Sequence, residues 1–263
     1  MPFSTAIRPH IPYLRRYARI LTGSQESGDA YVRASLEAAI EGEAELDRDL
    51  PPNVALYQLF HATWKNAGSR LTGDNRLNGK SEKLDDIPSE ARHVLLLTAV
   101  ENFTVEQAAT ILRIGEDEAR KLLKKAQAHL EGGLATEVLI IEDEPIIALD
   151  LQSIAEKMGH KVVGIARTRD EAVKLAREKS PRLVLADIQL ADDSSGIDAA
   201  QDILELGTVP VIFITAYPER LLTGKKPEPT YLITKPFMPE TVAATVSQAL
   251  FFAGDARRQA AAE

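Results

Sequence analysis

Hydrophobic residues in the first half of the chain recur at three- and four-residue spacing, which is typical of helices with one buried face. Residues 11–21 (IPYLRRYARIL) show this spacing, and in residues 28–41 Asp29 lies in the first turn, where a carboxylate suits the helix N-terminus. The pattern predicts helices at residues 11–21, 28–41, 53–67, 88–101, 104–112 and 116–130. We therefore expect an all-α first half.

The pattern changes at residue 137, where short continuous apolar runs begin to alternate with helical spacing. The runs predict strands at 137–141, 161–166, 182–186, 209–214 and 230–234. The segments between and after them predict helices at 145–158, 169–179, 196–206, 217–223 and 239–252. Strands that are apolar throughout and alternate with helices indicate a parallel sheet covered on both faces. We predict an α/β doubly wound, flavodoxin-like domain with a five-stranded parallel sheet, so that the chain has two domains.

Composition marks the predicted boundaries. Residues 68–83 (GSRLTGDNRLNGKSEK) are rich in Gly, Asn, Asp, Ser and Lys, which predicts a mobile linker within the helical half. The resulting division is 1–67 for the first helices, 68–83 for the linker, 84–131 for a helix-turn-helix, 136–254 for the α/β domain and 255–263 for a tail.

Charge and cysteine content narrow the possible functions. The 263 residues have a net charge of −8 and contain no cysteine, which excludes disulfides, thiol catalysis and Cys-ligated zinc. Residues 1–133 carry 17 Lys and Arg against 19 Asp and Glu, and residues 134–263 carry 14 against 20. Neither half has the basic balance that drives nucleic-acid binding, so no DNA partner is expected. No long apolar run or signal peptide is recognised, so we expect no membrane association and a cytoplasmic location.

Polar residues of complementary chemistry follow the predicted strands. The set is Glu142, Asp143 and Glu144 after the first strand, Asp187 after the third, Thr215 after the fourth and Lys235 after the fifth. The carboxyl ends of parallel strands meet at one edge, where ligands bind in such folds. Several carboxylates there would repel one another without a cation, and oxygen ligands at this density suit Mg²⁺. The set therefore predicts a site for Mg²⁺ and a phosphoryl group.

The stretches LIIEDEP, LVLADIQL, VIFITAYPE and LITKPF resemble response-regulator receiver domains. The resemblance implies that Asp187 is the phospho-acceptor, that Thr215 is the switch hydroxyl and that Lys235 contacts the phosphoryl group. It also implies a metal site formed by Glu142, Asp143, Asp187 and the backbone carbonyl of Gln189. The usual switch aromatic is replaced by Leu232, which leaves open whether Tyr217 or Tyr231 relays the signal.

The helical half is similar to extracytoplasmic-function sigma factors. YARILTGSQESGDAYVRASLEAAI and ALYQLFHATWKNAGSRL resemble their region 2, and residues 84–130 resemble the region 4 helix-turn-helix. Tyr57 and Trp64 are expected in the core rather than as DNA-melting aromatics. A DNA-reading helix would place its N-terminal residues in the major groove, yet residues 116–118 are Glu-Asp-Glu. A carboxylate in the groove repels phosphates, so this is a sigma-like shape without DNA-binding chemistry.

A sigma-like domain followed by a receiver resembles the PhyR-type response regulators of the general stress response. The resemblance implies a phosphorylation-activated anti-anti-sigma factor, which sequesters a NepR-type anti-sigma factor by sigma-factor mimicry and takes its phosphoryl group from a sensor histidine kinase. The alternative is a DNA-binding response regulator or sigma factor that controls transcription directly. No enzymatic activity is expected beyond weak self-dephosphorylation.

In the resting, unphosphorylated protein, the helices of residues 1–131 are expected to cover an apolar face of the receiver. Phosphorylation is expected to release that face. The residues expected on that face are Tyr217, Leu221, Leu222, Phe237, Phe251 and Phe252.

Overall fold

The computed structural model describes residues 3–42, 44, 46–67, 89–130, 135–190, 195–222 and 229–260. The predicted linker at 68–83 lies outside these residues. The chain forms two compact units, Met1–Gln127 and Ala128–Glu263. In the described part of the chain, no helix combines the length and the apolar character needed to cross a membrane.

The first unit is helical, as predicted. Its helices are α1 (Phe3–Ile7), α2 (Ile11–Thr22), α3 (Gln25–Ile40), α4 (Pro52–Ala67), α5 (Ser89–Ala99), α6 (Val105–Leu112) and α7 (Glu116–Leu130). The short α1 was not predicted. Tyr17, Tyr31, Tyr57 and Phe60 form an aromatic core on α2, α3 and α4, each at most 2% exposed. The expectation that Tyr57 is a core residue is confirmed, and the half-buried Trp64 packs 4.4 Å from the Tyr31 ring.

Helix α3 begins three residues earlier than predicted. The side chain of Ser24 accepts a hydrogen bond from the backbone N–H of Ser27, which caps the helix and fixes its start at Gln25. Gly28 on α3 lies directly against α2. A Cβ atom at this position would lie 2.6 Å from the backbone nitrogen of Arg19, so the absence of a side chain is what lets the two helices approach.

Helices α6 and α7 form the predicted helix-turn-helix. Thr104 and Gln107 make a capping box that starts α6, and Arg113 at φ 56° ends it in the left-handed conformation. Buried Val94, Ala109 and Ala119 pack α5, α6 and α7 together. The small alanines permit close packing of these helices.

The second unit is the predicted parallel sheet with helices on both faces. Its strands are β1 (Glu137–Ile141), β2 (Lys161–Ala166), β3 (Leu183–Ala186), β4 (Val211–Thr215) and β5 (Tyr231–Thr234), in the order β2-β1-β3-β4-β5 with all neighbours parallel. Its helices are α8 (Pro145–Lys157), α9 (Arg169–Lys179), α10 (Gly196–Leu206) and α11 (Pro239–Ala260). The fully apolar β3 is buried at every position. Burial at every position is what we predict for a strand that is covered on both faces.

Three local expectations for this unit differ from the structure. The predicted helix at 217–223 is reduced to a single 3-10 turn, Pro218–Arg220, because Pro218 starts the turn and the chain does not continue as an α-helix. Leu221 is buried in the core cluster and Leu222 packs against it, so neither lines an exposed face. Helix α11 continues to Ala260, through most of the predicted tail.

Candidate phosphoryl and metal site

Asp187 lies immediately after β3, at the edge of the sheet where the carboxyl ends of the strands meet. Its backbone N–H donates to the carbonyl of Ile141 on β1 at 2.8 Å, which extends the ladder by one residue. The side chain is nearly buried, and its Oδ1 accepts a 2.6 Å hydrogen bond from the backbone N–H of Ile188. These contacts leave the Asp187 carboxylate little rotational freedom.

Lys235 reaches the same carboxylate from the end of β5. Its Nζ donates to Asp187 Oδ2 at 2.7 Å and lies 2.8 Å from Glu142 Oε2. Burial acts to lower the pKa of Lys235, but the hydrogen bonds to Asp187 and Glu142 outweigh it and raise the pKa. The lysine therefore keeps its positive charge beside the aspartate.

Glu142 follows β1 and is almost completely buried at 1% exposure. Its pKa is raised to about 7, mainly by burial and also by the neighbouring Asp187, although the hydrogen bond and charge of Lys235 act in the opposite direction. Two carboxylates and one ammonium thus share a small volume. The carboxylates can carry more negative charge than Lys235 neutralises, and this excess attracts a cation.

The donor set fits Mg²⁺. Glu142, Glu144 and Asp187 each offer a carboxylate oxygen, and these atoms lie within 4.8 Å of one another. Oxygen ligands without nitrogen or sulfur suit a hard cation. The predicted ligand Asp143 is not part of this group, and Glu144 is. Gln189, the predicted carbonyl donor, pairs with Ser195 in an isolated antiparallel bridge just after Asp187.

Thr215 completes the strand-end set. It is the last residue of β4 and is 1% exposed, and its carbonyl accepts a 2.8 Å hydrogen bond from the backbone N–H of Lys235. Its Oγ1 accepts a 3.0 Å hydrogen bond from the backbone N–H of Tyr217. The sequence thus located Glu142, Asp187, Thr215 and Lys235 at one edge, and the fold brings them there.

Gly196 is a site residue that the sequence analysis missed. A Cβ atom on it would lie 1.7 Å from the carbonyl oxygen of Asp187, and its N–H donates to the carbonyl of Ile188 at 2.8 Å. Only glycine fits where α10 starts against the backbone of Asp187. One glycine among 15 carries no signal of this role, because the close approach exists only in the folded chain.

Comparison with known families covers both halves of the chain. The sigma2 domain of PhyR matches residues 7–61, the PhyR sigma-like domain matches residues 84–132, and the response regulator receiver domain matches residues 138–247. The phyllosphere-induced regulator PhyR of Methylorubrum extorquens is 49% identical over 96% of this chain and 96% of its own length. The chain belongs to the PhyR family of response regulators.

Solved structures of PhyR proteins have the same fold. The response regulator PhyR from Brucella abortus matches with a TM-score of 0.87 and 49% identity, covering 99% of this chain and 98% of that one. The anti-anti-sigma factor PhyR from Bartonella quintana matches with a TM-score of 0.86 and 50% identity, covering 98% of this chain and 99% of that one. The predicted family and the predicted fold class are therefore confirmed.

In this PhyR family member, the two candidate relay aromatics lie in different surroundings. Tyr231 is buried at the start of β5, whereas Tyr217 is 46% exposed. The Arg220 guanidinium lies 5.0 Å from the Tyr217 ring centre. Leu232, at the position of the usual aromatic, is a fully buried core residue. Of the two tyrosines, Tyr217 is the one whose backbone N–H donates to Thr215 Oγ1.

The sigma-like half of this PhyR family member presents the acidic turn that the sequence predicts. Glu116, Asp117 and Glu118 form the exposed first turn of α7. Glu116 forms an ion pair with Arg120 one turn later, which neutralises one carboxylate of the turn. The turn thus keeps negative charge where a DNA-reading helix would meet phosphates.

Proposed function

We propose that this protein is a phosphorylation-activated anti-anti-sigma factor of the cytoplasm. In this proposal a sensor histidine kinase phosphorylates Asp187, and the activated protein sequesters a NepR-type anti-sigma factor so that a stress-response sigma factor is released. The observation that carries the proposal is the convergence of Asp187, Lys235, Glu142 and Thr215 at one edge of the sheet, in a chain whose first unit is sigma-like and helical. The description of the Bartonella quintana relative as an anti-anti-sigma factor supports it.

The chemistry proposed for Asp187 is nucleophilic displacement at phosphorus. A carboxylate oxygen attacks, an O–P bond forms to give an acyl phosphate, and the bond from phosphorus to the donor nitrogen of the histidine breaks. Lys235 stays charged beside the reacting carboxylate and balances the charge of the phosphoryl oxygens. Glu142, Asp143 and Asp187 with the Gln189 carbonyl, and Glu144 beside Glu142 and Asp187, would hold Mg²⁺, which supplies further charge neutralisation when it is bound.

Thr215 connects phosphorylation to the rest of the receiver. Its Oγ1 accepts the N–H of Tyr217, so a Thr215 side chain that turns to donate to a phosphoryl oxygen must give up this contact or move Tyr217 with it. A charge-assisted hydrogen bond to phosphate is about twice as strong as a neutral one, which favours the exchange. We propose that Tyr217, rather than Tyr231, carries the signal from the site.

The sigma-like unit supplies the binding activity in this proposal. A domain that has the sigma fold but presents the Glu-Asp-Glu turn gains little from counterion release at DNA. Its shape remains available to a protein that binds a sigma factor and keeps it inactive, which is what an anti-sigma factor does. A protein partner therefore suits the unit better than a promoter does.

The test is a calorimetric titration of the purified NepR-type anti-sigma factor of the same organism into the full-length protein. We expect phosphorylated wild type to bind at least tenfold more tightly than unphosphorylated wild type, and Asp187→Ala to bind like the unphosphorylated form. Promoter DNA serves as the competing ligand at low salt. Tight binding of promoter DNA with no affinity for the anti-sigma factor would support direct transcriptional control instead.

A further inference from the structure

A single buried carboxylate joins three helices of the sigma-like unit. Glu101 lies just after α5, and its side chain is 4% exposed. Its Oε1 accepts from Arg16 Nη2 on α2 at 2.9 Å, and its Oε2 accepts from the Tyr57 hydroxyl on α4 at 2.7 Å. Both oxygens are therefore paired with donors from the region 2-like helices.

Other contacts join the same two sets of helices, α2 and α4 on one side and the segment from α5 to α6 on the other. The Tyr57 ring packs 4.9 Å from the ring of Phe103, and Gln58 Nε2 donates to the carbonyl of Thr110 on α6 at 2.9 Å. Arg16 Nη2 also donates to the carbonyl of Val100 at 3.3 Å. We call Arg16, Tyr57, Glu101 and Phe103 the Glu101 network. It connects the region 2-like helices to the region 4-like helices.

The backbone after α5 places Glu101 and Phe103 for these contacts. The Glu101 N–H donates to the carbonyl of Leu96 at 3.3 Å, and the Phe103 N–H donates to the carbonyl of Leu97 at 3.1 Å. Between them Asn102 has φ 57°, in the left-handed region that asparagine tolerates better than most residues. The helix end is thus closed in a way that presents an acidic and an aromatic side chain to α2 and α4.

The contacts between the two sets of helices carry their arrangement, since Arg16, Tyr57 and Gln58 on one side are bonded to Glu101 and to the Thr110 carbonyl on the other. A buried ion pair is a weak source of stability, but a packing that left Glu101 or Arg16 buried without its partner would be strongly destabilising. The network acts by excluding incorrect packings.

We propose that Glu101 is a positioning residue that fixes the region 2-like and region 4-like helices in one arrangement, so that together they present one preformed surface to an anti-sigma protein. This rests on the proposed function. A partner that contacts both sets of helices binds more tightly when they are already ordered, because it does not have to fix them on binding.

The first experiment measures the arrangement itself and does not need the partner. The chain has no cysteine, so Glu37→Cys on α3 and Lys121→Cys on α7 allow two spin labels to be attached to the full-length protein at exposed positions. We expect one narrow distance distribution in this background and a broadened or shifted one when Glu101→Gln is added. Glu90→Gln, an exposed glutamate on α5, is the matched control and should leave the distribution unchanged.

The second experiment measures the consequence for binding. With Asp187 phosphorylated to the same extent, checked by intact mass, Glu101→Gln should bind the NepR-type anti-sigma factor about tenfold more weakly than Glu90→Gln. Tyr57→Phe removes one hydrogen bond to Glu101 and should give a smaller loss in the same direction. It serves as the milder variant if Glu101→Gln does not fold.

The outcomes separate the two proposals. An unchanged distance distribution in both Glu101→Gln and Tyr57→Phe, or tighter binding by either variant, would overturn the positioning role. Absence of binding by phosphorylated wild type would instead refute the proposed function and the partner assigned to this surface. The distance measurement would still decide whether Glu101 fixes the helices.

Discussion

At the scale of residues, the proposed function depends on a few charged groups that lie close together and partly or fully buried. Asp187, Glu142 and Lys235 lie within hydrogen-bonding distance at the edge of the sheet, and burial raises the pKa of Glu142 to about 7. A divalent cation at such a site stabilises the ionised carboxylates and competes with protons for them. Phosphorylation at this site should therefore depend both on Asp187 and on the metal.

We predict that the full-length protein, incubated with a small-molecule phosphodonor and Mg²⁺, gains the mass of one phosphoryl group. Asp187→Ala should gain none, because the nucleophile is gone, and wild type in EDTA should be labelled at least tenfold more slowly. Intact mass spectrometry over time is the measurement. Asp150→Ala, which removes an exposed carboxylate on α8, is the control and should be labelled like wild type. Full labelling in EDTA would show that the acidic cluster needs no metal.

At the scale of elements, the helices depend on local signals and on close approach. Ser24 caps α3, the Thr104–Gln107 pair caps α6, and residues with small or no side chains permit tight helix contacts. At the contact between α2 and α3, Gly28 leaves no room for a methyl group. The same helix pair carries a buried ion pair in which Arg19 binds Asp29 at 2.9 Å.

We predict that Gly28→Ala destabilises the sigma-like unit although alanine is the better helix former. Alanine should gain about 1 kcal/mol of helix propensity. The added methyl group must push α3 away from α2, and overpacking of this kind costs about 1–3 kcal/mol, with more when backbone is the obstacle. Thermal unfolding should show a melting temperature lowered by several degrees. Gly115→Ala is the control, because nothing lies within 4 Å of its added methyl group. An unchanged melting temperature in Gly28→Ala would show that the helices can separate without loss.

Sequence patterns predict an element well when the residues of that element alone carry the signal. Strands β1 to β5 were predicted because each is a short apolar run between helical segments. The segment at 217–223 shows apolar spacing over too few residues, and Pro218 limits it to one 3-10 turn. The close contact of Gly196 with Asp187 leaves no trace in the local sequence, since it joins residues from two different elements.

At the scale of the whole molecule, the chain is divided into two units with different charges. Met1–Gln127 is the sigma-like unit, and Ala128–Glu263 carries the receiver. A useful regulator must bias an equilibrium between two states, and a hundredfold shift needs about 2.8 kcal/mol of differential interaction. New charge-assisted hydrogen bonds to one phosphoryl group are of that size. We propose that the unphosphorylated receiver restrains the sigma-like unit.

We predict that the isolated fragment 1–133 binds the anti-sigma factor without phosphorylation. The intact resting protein should bind at least tenfold more weakly, and phosphorylation should restore the affinity of the fragment. Isothermal titration calorimetry of the three proteins against the same anti-sigma preparation is the measurement, and circular dichroism of the fragment confirms that it is helical. Equal affinities for all three would rule out control by the receiver.

The sequence by itself determined most of the elements, the fold class and the identity of the chemical groups. Periodicity separates helices from strands because buried faces repeat at 3.6 and at 2 residues or occupy a whole strand. The carboxyl ends of parallel strands always meet at one edge, so Asp187, Thr215 and Lys235 could be assigned to one site from their positions after apolar runs. The residue types at positions 116–118 likewise identified the acidic first turn of α7.

Tertiary structure alone decided the features that depend on contact between distant segments. Glu101 is paired with Arg16 and Tyr57, separated from it by 85 and 44 residues, and no local pattern distinguishes it from an exposed glutamate. The tight approaches at Gly28 and Gly196 and the raised pKa of Glu142 have the same origin. Burial, distance and the pairing of charges arise only when the chain has folded, because each depends on which atoms exclude water from a group that the sequence merely names.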